Sequence, residues 1–163
     1  MSTLYVDNLQ PNLGSRVMAA GHVVQVVTYQ NTSYLNTQTT GWMDTGATVS
    51  ITPTSTSSKI IIFYNESFQG DVDVDSTDVR GRCRLLRGTT EIIAEDTPGG
   101  SFIASRGGQQ AASMTSIVYE DSPNTTSTVT YKGQAAFISS SGSRNFRVNY
   151  NKLGNITVME IAQ

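Results

Sequence analysis

Residues 58–68 read SKIIIFYNESF, and the five residues from Ile60 to Tyr64 decide the fold. In an extended strand successive side chains point to opposite faces, so Ile60, Ile62 and Tyr64 share one face while Ile61 and Phe63 share the other. Both faces are therefore apolar. A two-layer sandwich covers only one face of each sheet, so the face bearing Ile61 and Phe63 needs a second cover. Two covers meet that need: a loop of the same chain, or an identical subunit packed around a symmetry axis. Ile61 and Phe63 are thus the candidate subunit interface.

Working outward, the flanking stretches alternate in the manner of half-buried strands. In 46–52, Ala47, Val49 and Ile51 oppose Thr48, Ser50 and Thr52, and Pro53 ends the run. In 129–137, Val129, Tyr131, Ala135 and Phe137 oppose Thr130, Lys132 and Gln134. Further strands are expected at 22–29, 79–87, 90–95, 113–120, 144–150 and 155–161, with 58–68 central and 127–138 enclosing the second alternating run. Turn residues separate them every 8–15 residues, the spacing of a sandwich and not of βαβ units. Ser and Thr make up about a quarter of the chain, and no window of helical length keeps an uninterrupted 3.6-residue period. The fold class is all-β, an antiparallel β-sandwich or jelly roll over residues 21–163. Residues 1–20 carry isolated apolar residues, Leu4, Val6 and Leu9, with too little local burial to order themselves; they read as an extended attachment arm. Two hairpins are expected, one turning at Arg87 to Thr90 on Gly88, the other through Asn151 to Asn155 on Gly154. The strand at 156–161 ties the C-terminus into a sheet.

Composition removes several function classes. The chain has 163 residues, a formal charge of -2, one cysteine and one histidine. That length buries a core without disulfides. No apolar run is long enough for a spanning helix, and no basic region leads into an apolar signal core, so a soluble, unprocessed product without membrane insertion is expected. A pI near 5.3 offers no electrostatic footprint for nucleic acid. Cys83 and His22 are too few for the usual zinc clusters.

Residues with chemistry in them also have plain structural readings. Asp71, Asp73 and Asp75 emerge on one side of an extended segment, yet Ser76 and Arg82 stand where an EF-hand loop needs its glycine and bidentate glutamate. The run reads as a solvated acidic edge that blocks strand pairing, with a Ca²⁺ site at those three carboxylates as the alternative. A single histidine removes the common nucleophilic triads, and no G-x-S-x-G elbow occurs. His22 is assigned to a strand start. Alternation puts Cys83 beside Leu85, away from Arg82 and Arg84, which makes it a buried, inert thiol. Gly99-Gly100 and Gly107-Gly108 match no phosphate-binding pattern. The sequons at Asn31, Asn65, Asn124 and Asn155 follow from composition. Segment 29–44 holds Tyr29, Tyr34 and Trp42 among amides and hydroxyls, a mixture suited to glycan contact, with Trp42 as a plug at the end of the core as the plain reading. Loop 96–112 is a second long, glycine-rich surface. No catalytic group and no cofactor is expected.

The stretches VDNLQPNLGSRV, GHVVQVV, ITPTSTSSKIIIFYNESFQG, RCRLLRGTTEII and FRVNYNKLGNITVMEIAQ resemble, in style and order, small virion structural proteins and tail-fibre terminal modules of tailed bacteriophages, especially those infecting cyanobacteria. The resemblance covers nearly the whole chain and carries no catalytic signature. It implies a non-enzymatic, homotrimeric β module on the virion, assembled in the host cytoplasm, joined to other virion proteins through residues 1–20 and contacting host-surface glycan. A KIIIFYNES strand followed by an RLLRGTTEII hairpin also looks like trimeric jelly rolls of the tumour-necrosis-factor and complement-C1q type. The same fold would serve a capsid decoration protein. A small polysaccharide depolymerase is the enzymatic rival; it would need a carboxylate pair from Asp71, Asp73, Asp75, Glu95, Asp96, Glu120 and Asp121, on a chain that lacks β-helix repeats.

Overall fold

A computed structural model describes residues 19–72, 79–93, 101–102, 110–139 and 144–163. Eleven strands follow in order: β1 (Val23–Gln30), β2 (Leu35–Thr37), β3 (Met43–Ile51), β4 (Lys59–Val72), β5 (Val79–Arg87), β6 (Thr90–Ile93), β7 (Ser101–Phe102), β8 (Gln110–Asp121), β9 (Val129–Ser139), β10 (Arg144–Val148) and β11 (Asn155–Ile161). They form two antiparallel sheets, and the chain crosses between them repeatedly. The first sheet runs β1-β11-β4-β10-β2 with β8 on the other side of β4; the second runs β3-β9-β5-β6 with β7 also on β5. The all-β sandwich is as the alternation demands. The expected arm, with Leu4, Val6 and Leu9, falls outside the described residues apart from its last two, Ala19 and Ala20, of which Ala19 accepts a hydrogen bond from His22 N at the entry to β1.

Strand β4 organises the first sheet. It pairs with β8 in unbroken register from Ile60↔Asp121 to Asp71↔Gln110, and its opposite edge pairs with β11 and then β10. Its inward residues Ile60, Ile62, Tyr64 and Phe68 meet Ala47, Val49, Ile51, Cys83, Leu85, Tyr131 and Ala135 from the second sheet in one buried cluster. The layers lie close because Gly133 on β9 has no Cβ: one placed there would strike the Tyr64 ring. Aromatic packing continues through Phe146, stacked on Phe68 at 5.8 Å and on Phe137 at 6.0 Å. At one end Arg87 and Tyr131 of the second sheet both bond the Asp121 carboxylate of the first, at 2.9 and 2.6 Å.

The turn at Gly88 is present, with Gly88 at φ 59°. The second expected hairpin is not. β10 and β11 both run antiparallel to β4 along the same edge, so 144–161 is one line of chain interrupted by a loop at 149–154. The left-handed residues in that loop are Asn149 and Lys152, at φ 57° and 54°. Gly154 serves another purpose: a Cβ there would collide with the Glu66 carboxylate. β1 and β2 are broken at the same level by 31–34, because β1 pairs with β11 and β2 with β10. Two adjacent lines thus leave the sheet together.

Candidate functional site

The two outward faces of the sandwich differ in kind. On the second sheet the outward residues are polar or charged and pair with one another: Arg84 pairs with Glu91 at 2.6 Å, Lys132 with Asp44 at 3.1 Å, Gln134 donates to Asp44 at 2.7 Å, and the hydroxyls of Ser50 and Thr130 meet at 2.7 Å. Burial opposes ionisation of Asp44, yet the bonds from Gln134 and Lys132 hold its carboxyl below the usual range. Trp42 lies on this face with the guanidinium carbons of Arg84 and Arg82 at 4.3 and 4.9 Å from its ring centroid. It is therefore a partner of cations and not a plug in the core.

The outward face of the first sheet mixes apolar side chains with uncharged polar ones. Register aligns Val26, Met159, Ile61 and Glu120 in one row, Thr28, Thr157, Phe63 and Val118 in the next, and Gln30, Asn155, Asn65 and Ser116 in a third. Ile61 and Phe63 are half-buried by these neighbours, whereas Val26 is 53%, Val118 63% and Met114 56% exposed. No described element lies over them. Charge is confined to the margins, where Lys59 meets Glu120 at 3.4 Å and Arg147 donates to Gln69 at 3.1 Å.

Where the two lines leave the sheet, a polar cluster is sealed beneath them. Asn149 holds both loops, donating to the carbonyls of Asn31 and Ser33 at 2.7 and 2.8 Å and accepting from Gly154 N at 2.8 Å. Asn31 is fully buried, which removes its sequon from any modifying enzyme, and it donates to Glu66 Oε2 at 3.1 Å. Glu66 is also fully buried, and its Oε1 has no hydrogen-bond partner among the described residues. Burial raises its pKa to about 7, against the lowering pull of Asn31, Thr45, the Ser67 backbone and Tyr64. Alternation from Ile60 puts residue 66 on the core side, so a glutamate at a core position was the available sequence signal for this cluster.

Beside the cluster, on the outward face, lies a cavity of about 310 Å³ between β8 and the 149–154 loop. Ser67, Gln69, Met114, Tyr150, Asn151 and Leu153 line it. Tyr150 meets Tyr34 edge-on at 6.0 Å and has Arg147 at 5.5 Å from its ring centroid.

No family model and no curated protein matches this chain. Similar solved structures include viral particles. The T13 particle of infectious bursal disease virus aligns at a TM-score of 0.46 and 11% identity, covering 98% of this chain and 40% of that one. The Gx strain of the same virus aligns at 0.39 and 13%, covering 98% and 42%. The chain spans about two-fifths of the length of those structures, and no residue role is carried across at such identity.

The candidate glycan residues are not gathered into one surface. Tyr29 is on β1, Tyr34 pairs with Tyr150 just before β2, and Trp42 stands with Arg82 and Arg84 on the other sheet. Asp71 closes β4, while Asp73 and Asp75 lie outside the described residues, as do Glu95 and Asp96. Among the described residues no three His, Cys, Asp or Glu side chains converge as a metal site. Asp121 is engaged by Arg87 and Tyr131, and Glu120 points away from it on the next residue of β8. Cys83 is buried, and burial pushes its thiol up to about 12. Among the described residues no helix is long and apolar enough to cross a membrane.

Proposed function

We propose that this chain is a non-enzymatic virion structural protein, a homotrimeric tail-fibre or spike module of a tailed bacteriophage. Residues 1–20 fasten it to other virion proteins, and exposed rings, Tyr34 among them, meet host-surface glycan. One observation carries the reading: a sandwich with a salt-bridged outer face on one sheet leaves Val26, Val118 and Met114 mostly in water on the other, beside the half-buried Ile61 and Phe63. Contiguous apolar surface of that kind is kept for association, because a monomer leaves it in water. The sequence resemblance to phage fibre modules supplies the threefold symmetry and the particle.

Light scattering on the purified chain tests this. A mass three times the 17.6 kDa chain is expected. Val118→Lys alters a side chain that is mostly in solvent, so it folds, and it should give a monomer. A wild-type protein that stays monomeric at all concentrations would overturn the reading, and new reducing ends on host polysaccharide would overturn its non-enzymatic part.

A further inference from the structure

We infer that the cavity between β8 and the 149–154 loop is a socket that a second copy of this chain fills with a neutral side chain. The inference rests on the self-association reading above and specifies the site through which it operates.

Three observations lead to it. First, among the described residues no charged one lines the cavity, and its rim is apolar and in water: Met114, Tyr150 and Leu153 are each more than half exposed. A cavity of this size and lining takes a neutral, largely apolar group. Second, its floor contains an unanswered hydroxyl. Ser67 is only 5% exposed, and its Oγ has no hydrogen-bond partner among the described residues. A dry, unpaired hydroxyl is costly, so the group that enters brings a polar atom with it. A peptide does this, since every side chain arrives with its own backbone N–H and C=O.

Third, the cavity shares its outward face with the rows of Ile61 and Phe63, one polar row, Gln30, Asn155, Asn65 and Ser116, lying between. Ser67 and Gln69 follow Ile61 and Phe63 on the same face of β4, as Met114 precedes Val118 on β8. Four strands at about 4.8 Å spacing by ten residues at about 3.4 Å give a face of roughly 650 Å². That is close to the roughly 800 Å² per partner of a standard specific interface. The face is large enough for a second copy, and the socket gives that copy a fixed register.

Ala112→Trp tests it. Ala112 is exposed on β8, opposite Gln69 and at the cavity wall, and an indole there occupies the socket from within. A dilution series by light scattering should show wild-type association and, for Ala112→Trp, a dissociation constant raised at least tenfold, with unchanged far-UV circular dichroism and Tm at monomeric concentration. Ser67→Ala, which breaks no bond within the chain, should weaken association without lowering the monomer's Tm. If wild type associates and both variants match it, the socket is overturned and the self-association reading stands. If wild type never associates, both fall.

Discussion

Glu66 and Glu160 are both fully buried on the core side of the first sheet, and their chemistry diverges because their neighbours do. Around Glu160 burial favours the neutral acid, yet Ser58, Gln25 and Thr54 donate to the carboxylate at 2.6–2.7 Å and hold its pKa below 4.5. Glu66 has a bare oxygen, and the titratable groups facing it, Tyr64 and Cys83, are themselves pushed up by burial and supply no positive charge. The signs follow by linkage. Glu160 contributes stability above its unfolded pKa that is lost as pH falls through its lowered folded value. Glu66, raised from 4.5 to about 7, contributes stability that is complete below 4.5 and lost as pH rises through 7. The shift corresponds to about 3 kcal/mol at most. Wild-type Tm should therefore decline between pH 5 and pH 8, while Glu66→Gln, neutral at every pH, should remove most of that decline. Equal slopes for the two proteins would show that Glu66 does not titrate in this range.

At the scale of the element, β4 was legible because its evidence is local: five apolar residues in a row admit one reading of the two faces. The 149–154 loop was not. Asn, Lys and Gly make a reversal and an excursion that resumes its direction equally well, and what separates them is the register of both flanks on β4, a contact remote in sequence. β2, three residues long, is too short for alternation to mark it. Likewise Gly133 looks like an interruption of the 129–137 pattern until Tyr64 is seen against it. Gly133→Ala drives a methyl into that ring, and over-packing of this kind costs about 1–3 kcal/mol. The expected result is a Tm lowered by several degrees, with part of the loss recovered in Gly133→Ala/Tyr64→Phe, where the hydroxyl that crowds the site is gone. If the double variant loses the sum of the two single losses, the contact is not what limits that site.

For the whole molecule, the contrast between its outer faces decides how association responds to salt. Were copies to meet through the second sheet, they would do so by Arg82, Arg84, Glu91, Asp44 and Lys132, and screening would weaken the contact. The Debye length falls from about 10 Å at 0.1 M to about 3 Å at 1 M, enough to remove most attraction between exposed charges. The first sheet offers Val26, Ile61, Phe63, Val118 and Met159, whose burial depends on water and not on charge. Sulfate, excluded from apolar surface, strengthens such burial. Association measured by light scattering should therefore hold or tighten from about 0.1 M to about 1 M sodium chloride, and tighten further in sodium sulfate. A tenfold weakening over the same range would move the interface to the charged sheet, where Trp42 stands between its two arginines, and would leave Ile61 and Phe63 facing solvent.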